Sequence, residues 1–461
     1  MKTSASAQPS RLRPSVLGTP ALAALAGATL LVVVAARFRL DLTLCSAWPS
    51  RAIGCAYGVV YLVAVLLLAW AWKRGVHPLF VVAAHAIALG AAPFLSSDPL
   101  MYAAVGRALS LGAPATRDVT SALGADHPFL VPLVPAWRLG TSAYGPAWNA
   151  IASVVGHAMK DHLGATLRAH QLVACLSILV GAALVARTRA AFVTVALCPL
   201  AVVEATIGAH NDALLVPFAA LALVCWQRRR PLVAAVVLCA GVLVKASAAI
   251  YAAPVVLALF LAWLPSARAR RLALACVVPL SGLALVLMAQ LANGPLDALA
   301  RIVGRPDVPY DHCTRSFECL PRILFRFVFH AGTLAWATGI VFRLVGALWL
   351  AYASLRAAEA PRKEALAWIV RGLFIYFLAL HGWAQSWYAL PLVVALPGLE
   401  GDTQTLPALR AYLVSSVCYY ALVLPMSCLD NPVLVAVSDL AEGLVTVVPP
   451  IVLLARARKS S

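Results

Sequence analysis

The stretch "AAPFLSSDPLMYAAVGRAL" covers Ala91 to Leu109. An apolar run stops at Leu95, two serines follow, and Asp98 then stands before Pro99, Tyr102 and Arg107. The run that stops is one of many. The chain has 461 residues, 62% hydrophobic and 12% charged, against about 25% charged in ordinary soluble domains. Apolar stretches of roughly 18 to 22 residues, long enough to cross a bilayer as helix, recur along most of it. The expected fold class is therefore all-α integral membrane, a single polytopic domain over 1–461. Leu17 to Ala36 follows a basic start, "MKTSASAQPSRLRPSV". It is longer than the roughly 7 to 15 apolar residues of a signal peptide, so it reads as an uncleaved first span.

The net charge of +18 calls for no nucleic acid. Basic residues cluster at span ends, where positive charge stays cytoplasmic and orients the chain. With the N-terminus inside, spans fall near 17–36, 53–72 and 78–95, and "WKRGVH" (Trp72 to His77) is a cytoplasmic turn. Asp98 is then outside, in a first external loop over 96–145. The clusters "RTR" (Arg187 to Arg189), "QRRR" (Gln227 to Arg230), "RARR" (Arg268 to Arg271), "PRKE" (Pro361 to Glu364) and the tail "RARK" fix the parity of later crossings. Pro146 to Met159 is too short for a full span and reads as a re-entrant helix. Further spans are expected near 190–207, 213–227, 231–245, 249–265 and 271–291. A second external loop covers 292–330, and spans near 331–355, 365–383, 387–400, 407–427 and 432–455 return the tail inside. The expectation is a bundle of about 12–14 transmembrane helices. Asp98, Arg107, Tyr144, His210, Asp212, Lys245, Arg322 and Gln385 all fall on one membrane face, the outer one.

Most of the 11 cysteines lie within spans as small apolar filler. Cys313 and Cys319 share the second external loop, where a disulfide and two free thiols are both open readings. The sequence holds no CxxC pair, zinc spacing, P-loop or GxGxxG, so no cofactor is implied. A divalent cation bridged through water between Asp98 and Asp212 is the one metal arrangement the carboxylates suggest.

Each polar position has an ordinary reading beside a functional one. "SSDP" makes a good helix cap, with Asp98 as the N-cap and Pro99 opening the helix. On that helix Tyr102, four residues on, shares the Asp98 face, whereas Arg107, nine residues on, lies about 180° around it. "GAHNDA" (Gly208 to Ala213) is either a solvated turn or a site, and ionisable groups at the lip of apolar spans are default candidates for function. Glu204 lies a turn or two earlier, at bilayer depth. Lys245 in "GVLVKASAAIY" is either a snorkelling ammonium or a phosphate partner. Tyr144, Trp387 and Tyr388 suit an interfacial aromatic belt, and aromatic faces also stack on sugar rings.

Taken in order, "SSDPLMYAAVGRALSLGAP", "DHPFLVPLVPAWRLGTSAYGPAW", "GAHNDALLVPFAALAL" and "VLVKASA" resemble the polyprenyl-phosphomannose-dependent alpha-(1→6)-mannosyltransferases of actinobacterial envelope synthesis, in the GT-C glycosyltransferase superfamily. The likeness runs from about Asp98 to Pro254, with a weaker echo at "QSWYALPL". It implies a GT-C-like bundle with a catalytic Asp in the external loop after the third span. It also implies a polyprenyl-phosphate sugar donor, a glycan or glycolipid acceptor and inversion at the anomeric carbon. One departure is visible: where the family usually has "NPY" or "DPY", this chain reads "GAPATRD", which keeps Pro114 without its aromatic partner.

The expected chemistry follows from such a donor, with its tail in lipid, its phosphate at headgroup depth and its sugar in water. Asp98 is the expected base for the acceptor hydroxyl. Lys245 with Arg107 or Arg322 would clamp the leaving phosphate, and His210, Asn211 and Asp212 would hold sugar or metal. Tyr102, Tyr144, Gln385, Trp387 and Tyr388 complete the expected substrate site. The expected location is a bacterial cell membrane with the site facing out. A transporter or flippase of a polyprenyl-linked or other polar solute is the alternative; it calls for ionisable groups deep within spans rather than at one face.

Overall fold

The structure is a computed structural model and describes residues 18–37, 51–93, 95–133, 135–270, 317–325, 329–381, 385–422 and 432–459. Among the described residues every regular element is helical, which makes this an all-α membrane protein. Helices α1 (Thr19–Arg37), α2 (Arg51–Arg74) and α3 (Pro78–Ala88) come first. The expected first external loop contains α4 (Asp98–Ser110) and the short α5 (Val119–Leu123) and α6 (Pro135–Arg138). The short helix expected from Pro146 to Met159 is α7, with those bounds, and α8 (Leu163–Val185) follows.

Among the described residues five helices are long and apolar enough to cross a membrane: Thr19–Ala36, Cys55–Arg74, Leu163–Val185, Gly332–Glu359 and Asp439–Ala457. A sixth span arises if α9 (Arg189–Ala196) and the π-helical segment Ala201–Ile207 are taken together across their 63° bend. Pro199 lies in the break between them, where its missing N–H and fixed φ interrupt the helical ladder. Shorter apolar helices fill in between. A 3₁₀ turn, Asn211–Leu214, runs into α10 (Leu215–Gln227), and α11 (Pro231–Ala240) and α12 (Ala248–Trp263) make the following hairpin. After α13 (Cys319–Ile323) come α14 (Gly332–Glu359), α15 (Arg362–Ile375), a 3₁₀ segment over Ser386–Leu399, α16 (Thr405–Cys418) and α17 (Pro432–Lys459).

The Ser386–Leu399 segment contains Pro391 and Pro397, which remove two backbone donors. As a 3₁₀ helix its fourteen residues rise ~2.0 Å each. That gives about 28 Å, close to the ~30 Å hydrocarbon thickness that an α-helix of the same length would miss. The expected span at 271–291, most of the second external loop and Cys313 lie outside the described residues, as does the Cys319 side chain, so the disulfide question lies there too.

Helices α4 and α7 are held by a close crossing. A side chain added at Gly106 of α4 would come 2.4 Å from the Ala152 carbonyl oxygen of α7, and one at Gly156 would come 2.5 Å from that of Gly106. The two backbones touch because neither residue has a Cβ. On the far side of α4, Leu100, Met101, Ala104 and Val105 pack with Phe129, Leu130 and Leu133 of the loop into a small apolar cluster of their own. Gly106→Val should therefore part α4 from α7 and cost about 1–3 kcal/mol, read as a lower thermal midpoint. Gly164→Ala, at a helical position with nothing within 4 Å, should leave the midpoint unchanged or raise it.

Candidate active site

The α4 helix opens with Ser97, not Asp98, at the N-cap, and the Asp98 backbone N–H donates to Ser96 Oγ at 3.1 Å. Ser97 holds the cap position in place of Asp98, and its side chain makes no capping hydrogen bond. The Asp98 carboxylate is turned inward: Oδ2 lies 3.6 Å from His210 Nδ1 and 3.5 Å from the Tyr102 hydroxyl. Tyr102 is one turn along the same face. Only 13% of the Asp98 side chain is exposed. Burial pushes its pKa up, but His210, then Lys245 and Tyr102, outweigh burial and hold the carboxyl below its ordinary value. Asp98 is ionised at neutral pH and free to accept a proton.

His210 reaches Asp98 through an unusual piece of backbone. The π-helical turn Ala201–Ile207 ends at Gly208, and Ala209 follows with φ of 53°, a left-handed conformation that costs a residue with a Cβ roughly 1–2 kcal/mol. Such strain persists where the surroundings over-determine it. Here they do. Gln171 of α8 donates from Nε2 to the carbonyls of Ala91, Thr206 and Ile207 at 2.9, 3.1 and 3.1 Å. Arg168, one turn before it, donates to the carbonyls of Leu89, Gly90 and Ala91. Two polar side chains of one helix therefore fix both the chain leading to Asp98 and the segment leading to His210.

The His210 ring stacks on Trp387 with centroids 3.7 Å apart and planes 13° from parallel. Its Nε2 faces Glu204 Oε2 at 3.4 Å. Glu204 is 0% exposed and is also held by the hydroxyls of Ser386 and, at 3.3 Å, Tyr420. The imidazole thus lies between two carboxylates, one at the cleft and one inside the protein. Next to it, the Tyr102 hydroxyl donates to Asn211 Oδ1 at 3.2 Å and accepts from the Asn211 backbone N–H at 3.4 Å. Tyr144 and Trp148 meet the Tyr102 ring edge-on, with centroids 5.1 and 5.0 Å away.

Lys245 Nζ sits 2.6 Å from Asp212 Oδ2 and 4.9 Å from the centre of the Tyr388 ring. Asp212 is 0% exposed and the Lys245 side chain 12%, so the lysine is the more exposed partner. Its turn is fixed from two sides. The Gly145 N–H donates to the Val244 carbonyl at 2.9 Å, and the Tyr251 hydroxyl donates to the Tyr388 carbonyl. Asn211 Nδ2 and Asp212 Oδ1 are buried with no hydrogen-bond partner. Each costs about 1–3 kcal/mol in that state, which marks a polar site built for something beyond its own side chains.

The structure thus gathers Asp98, Tyr102, Tyr144, His210, Asn211, Asp212, Lys245, Trp387 and Tyr388, and buries Gln385 just before Ser386. It does not bring two of the expected cations there. Arg107, on the opposite face of α4, donates to Asp161 at 2.8 Å and holds that carboxyl below its usual range; His127 approaches the same carboxylate at 3.4 Å. Arg322 pairs with Glu318 at 2.9 Å, one turn away on its own segment. Lys245 is the cation beside Asp98. Among the described residues no three His, Cys, Asp or Glu side chains come together to hold a metal ion, and Asp98 and Asp212 are engaged by His210 and Lys245 respectively.

Glu204 was visible in the sequence as an acid amid "AVVEATIGAH", though nothing there linked it to His210. Ser386 and Tyr420 carried no signal, because they reach Glu204 from 182 and 216 residues away.

The family described as alpha-(1→6)-mannopyranosyltransferase, N-terminal domain, matches residues 15–262, more than half of the chain. That range contains Asp98, Tyr102, Tyr144, Glu204, the His-Asn-Asp run and Lys245. No curated protein and no solved structure matches the chain.

A side chain at Gly145 would fall 2.2 Å from the Leu243 carbonyl oxygen. Gly145→Ala should push the Val242–Val244 backbone, and Lys245 with it, away from Asp98. The expected outcome is a loss of about 1–3 kcal/mol, measured by thermal unfolding in detergent.

Proposed function

Because the chain belongs to the alpha-(1→6)-mannosyltransferase family, a family of glycosyltransferases, we propose that it moves mannose from a polyprenyl-phosphate carrier to a glycan or glycolipid of the cell envelope. The observation that carries this reading is the convergence on the His210–Asp212 run of a carboxylate, Asp98, and an ammonium, Lys245, held over the Tyr388 ring. Transfer with inversion needs both. Asp98 takes the proton of the acceptor hydroxyl as its oxygen attacks the anomeric carbon. The bond from that carbon to the phosphate oxygen breaks on the opposite side, and Lys245 meets the charge that gathers on the departing phosphate. Phosphate oxygens compete with Asp212 for the ammonium, which leaves the Asp212 carboxylate and the Asn211 amide for sugar hydroxyls. Trp387 and Tyr388 supply faces for the sugar.

An apolar groove supports a lipid-linked donor. It lies between α10, α12, α15 and the 3₁₀ segment, is lined by Leu223, Val255, Leu373 and Leu392 among others, and has Tyr251 at its edge. The Tyr251 hydroxyl bonds the Tyr388 backbone, so the groove begins beside the ring on which Lys245 rests. At 80 Å³ the groove has room for only a short prenyl segment, the end of the chain nearest a phosphate at Lys245. The basic span ends, Lys73 and Arg74 after α2 and Arg228 to Arg230 after α10, mark the cytoplasmic side by the positive-inside rule. On this reading the site faces outward from a bacterial cell membrane. A solute carrier is disfavoured by the family and by a cleft whose polar groups are arranged around one carboxylate and one cation.

In reconstituted protein given labelled polyprenyl-phosphomannose, Asp98→Asn should lower transfer by roughly 10²–10⁴ with donor affinity little changed, because a base acts mainly in the transition state. Lys245→Met should weaken donor binding as well as turnover. Near-normal transfer by a folded Asp98→Asn protein would return the residue to a structural role.

The pH profile tests how Asp98 is held. Its depressed pKa places the acidic limb of transfer below the ordinary carboxylate value of about 3.9, so transfer should not fall through loss of the base as pH drops from 7 towards 5. The same depression stabilises the fold above the unfolded carboxyl's range, a contribution lost as pH falls through the folded value. His210→Ala removes the largest lowering influence and leaves burial, so the acidic limb should move up. An unmoved limb in that variant would show that His210 does not hold the Asp98 charge.

A further inference from the structure

A second polar and apolar cavity lies away from this site. It is a cleft of 1330 Å³ between the ends of α1, α2, α9, α16 and α17, beyond the roughly 300–1,000 Å³ of ordinary small-molecule pockets. We propose that it is a binding site for one anionic phospholipid, with the headgroup phosphate on Lys73, Arg74 and Arg410 and the acyl chains against α1, α2 and α17.

The walls change character along their depth as a lipid does. The rim is polar: Lys73 and Arg74 occupy the last turn of α2, a candidate span, and Arg410 lies over the Trp72 ring at 5.8 Å. The Trp72 indole N–H donates to the Thr194 carbonyl at 2.7 Å, fixing the ring that carries Arg410. His77 accepts the Leu79 N–H at Nδ1, so its Nε2–H is a donor to spare. Deeper in, the lining is Ala21, Ala69, Val414 and Leu453, small and branched side chains of α1, α2, α16 and α17. Three of these helices contain candidate spans, so the apolar wall runs along the hydrocarbon and the cations stand at headgroup depth.

The charge balance favours an anion. Of the two acids lining the cleft, Asp402 is engaged by the backbone N–H groups of Gln404 and Thr405 at 3.0 and 2.8 Å and by Arg371 at 3.5 Å. Glu400 alone remains against Lys73, Arg74 and Arg410. A zwitterionic headgroup offers these cations less than a phosphatidylglycerol does.

The test uses purified full-length protein and mass spectrometry of its lipid complexes, with phosphatidylglycerol and phosphatidylcholine offered in equal amounts. Phosphatidylglycerol should be retained over phosphatidylcholine. Arg410→Gln should lower its retention roughly fivefold, from the ~1 kcal/mol that one cation contributes near a membrane surface, and Arg410→Lys should keep most of it. Val414→Trp, which fills the wall without touching charge, should lower retention of either lipid. Arg187→Gln, in a separate basic cluster where Arg187 bonds Gln227, should change nothing. Glycerol phosphate at matching concentration should not displace the lipid, because it lacks the chains that the wall holds. Equal retention of both lipids, an equal loss in Arg187→Gln, or displacement by glycerol phosphate would each overturn the proposal.

Discussion

The fold is organised around the cost of keeping charge inside an apolar protein. An ionised side chain removed from water without a partner loses several kcal/mol or changes its protonation state. Asp98, Glu204 and Asp212 all approach that condition, and His210 and Lys245 are the groups set against them. Removing any one member would leave another stranded, which ties α4, the π-helical turn and the hairpin between α11 and α12 into one unit. The same pairing leaves Lys245 and Asp98 the more exposed partners, where an incoming phosphate and hydroxyl would find a cation and a base.

Geometry at this scale needs rigid support, and the supports are small. Gly106 and Gly156 bring α4 against α7, and Gly145 brings the start of α7 against the Lys245 turn. Gln171 and Arg168 anchor two separate chain segments to α8. Trp387 closes over His210 from the far end of the sequence. The strained Ala209 is tolerable because its neighbours on both sides are already fixed.

Much of this was legible beforehand. Apolar run length gave the membrane class, and helix bounds such as Pro146–Met159 and Ser386–Leu399 fell close to where turn residues and prolines put them. Helical arithmetic placed Tyr102 with Asp98 and Arg107 away from it, and the structure agrees. Spacing within a helix is a local property, so the sequence carries it. What was not legible depended on contacts across the fold. Arg107 looked like a phosphate ligand because its acidic partner, Asp161, lies 54 residues away with no visible link to it; Glu318, four residues before Arg322, was a local i,i+4 partner that the sequence did carry. Asp98 looked like its helix's own cap, whereas Ser97 fills that position. Glu204 stood out as a buried acid, but that Ser386, Tyr420 and His210 surround it is a matter of tertiary packing.

On the proposed function, the site takes its sugar from a lipid phosphate at membrane depth. Donor choice tests this most directly: purified wild-type protein in lipid, given an acceptor extract and either polyprenyl-phosphomannose or a nucleotide-activated mannose at equal concentration. Transfer should come from the polyprenyl donor alone, because Lys245 offers one cation at headgroup depth and the apolar groove starts beside it. Equal or faster transfer from the nucleotide donor would contradict the account.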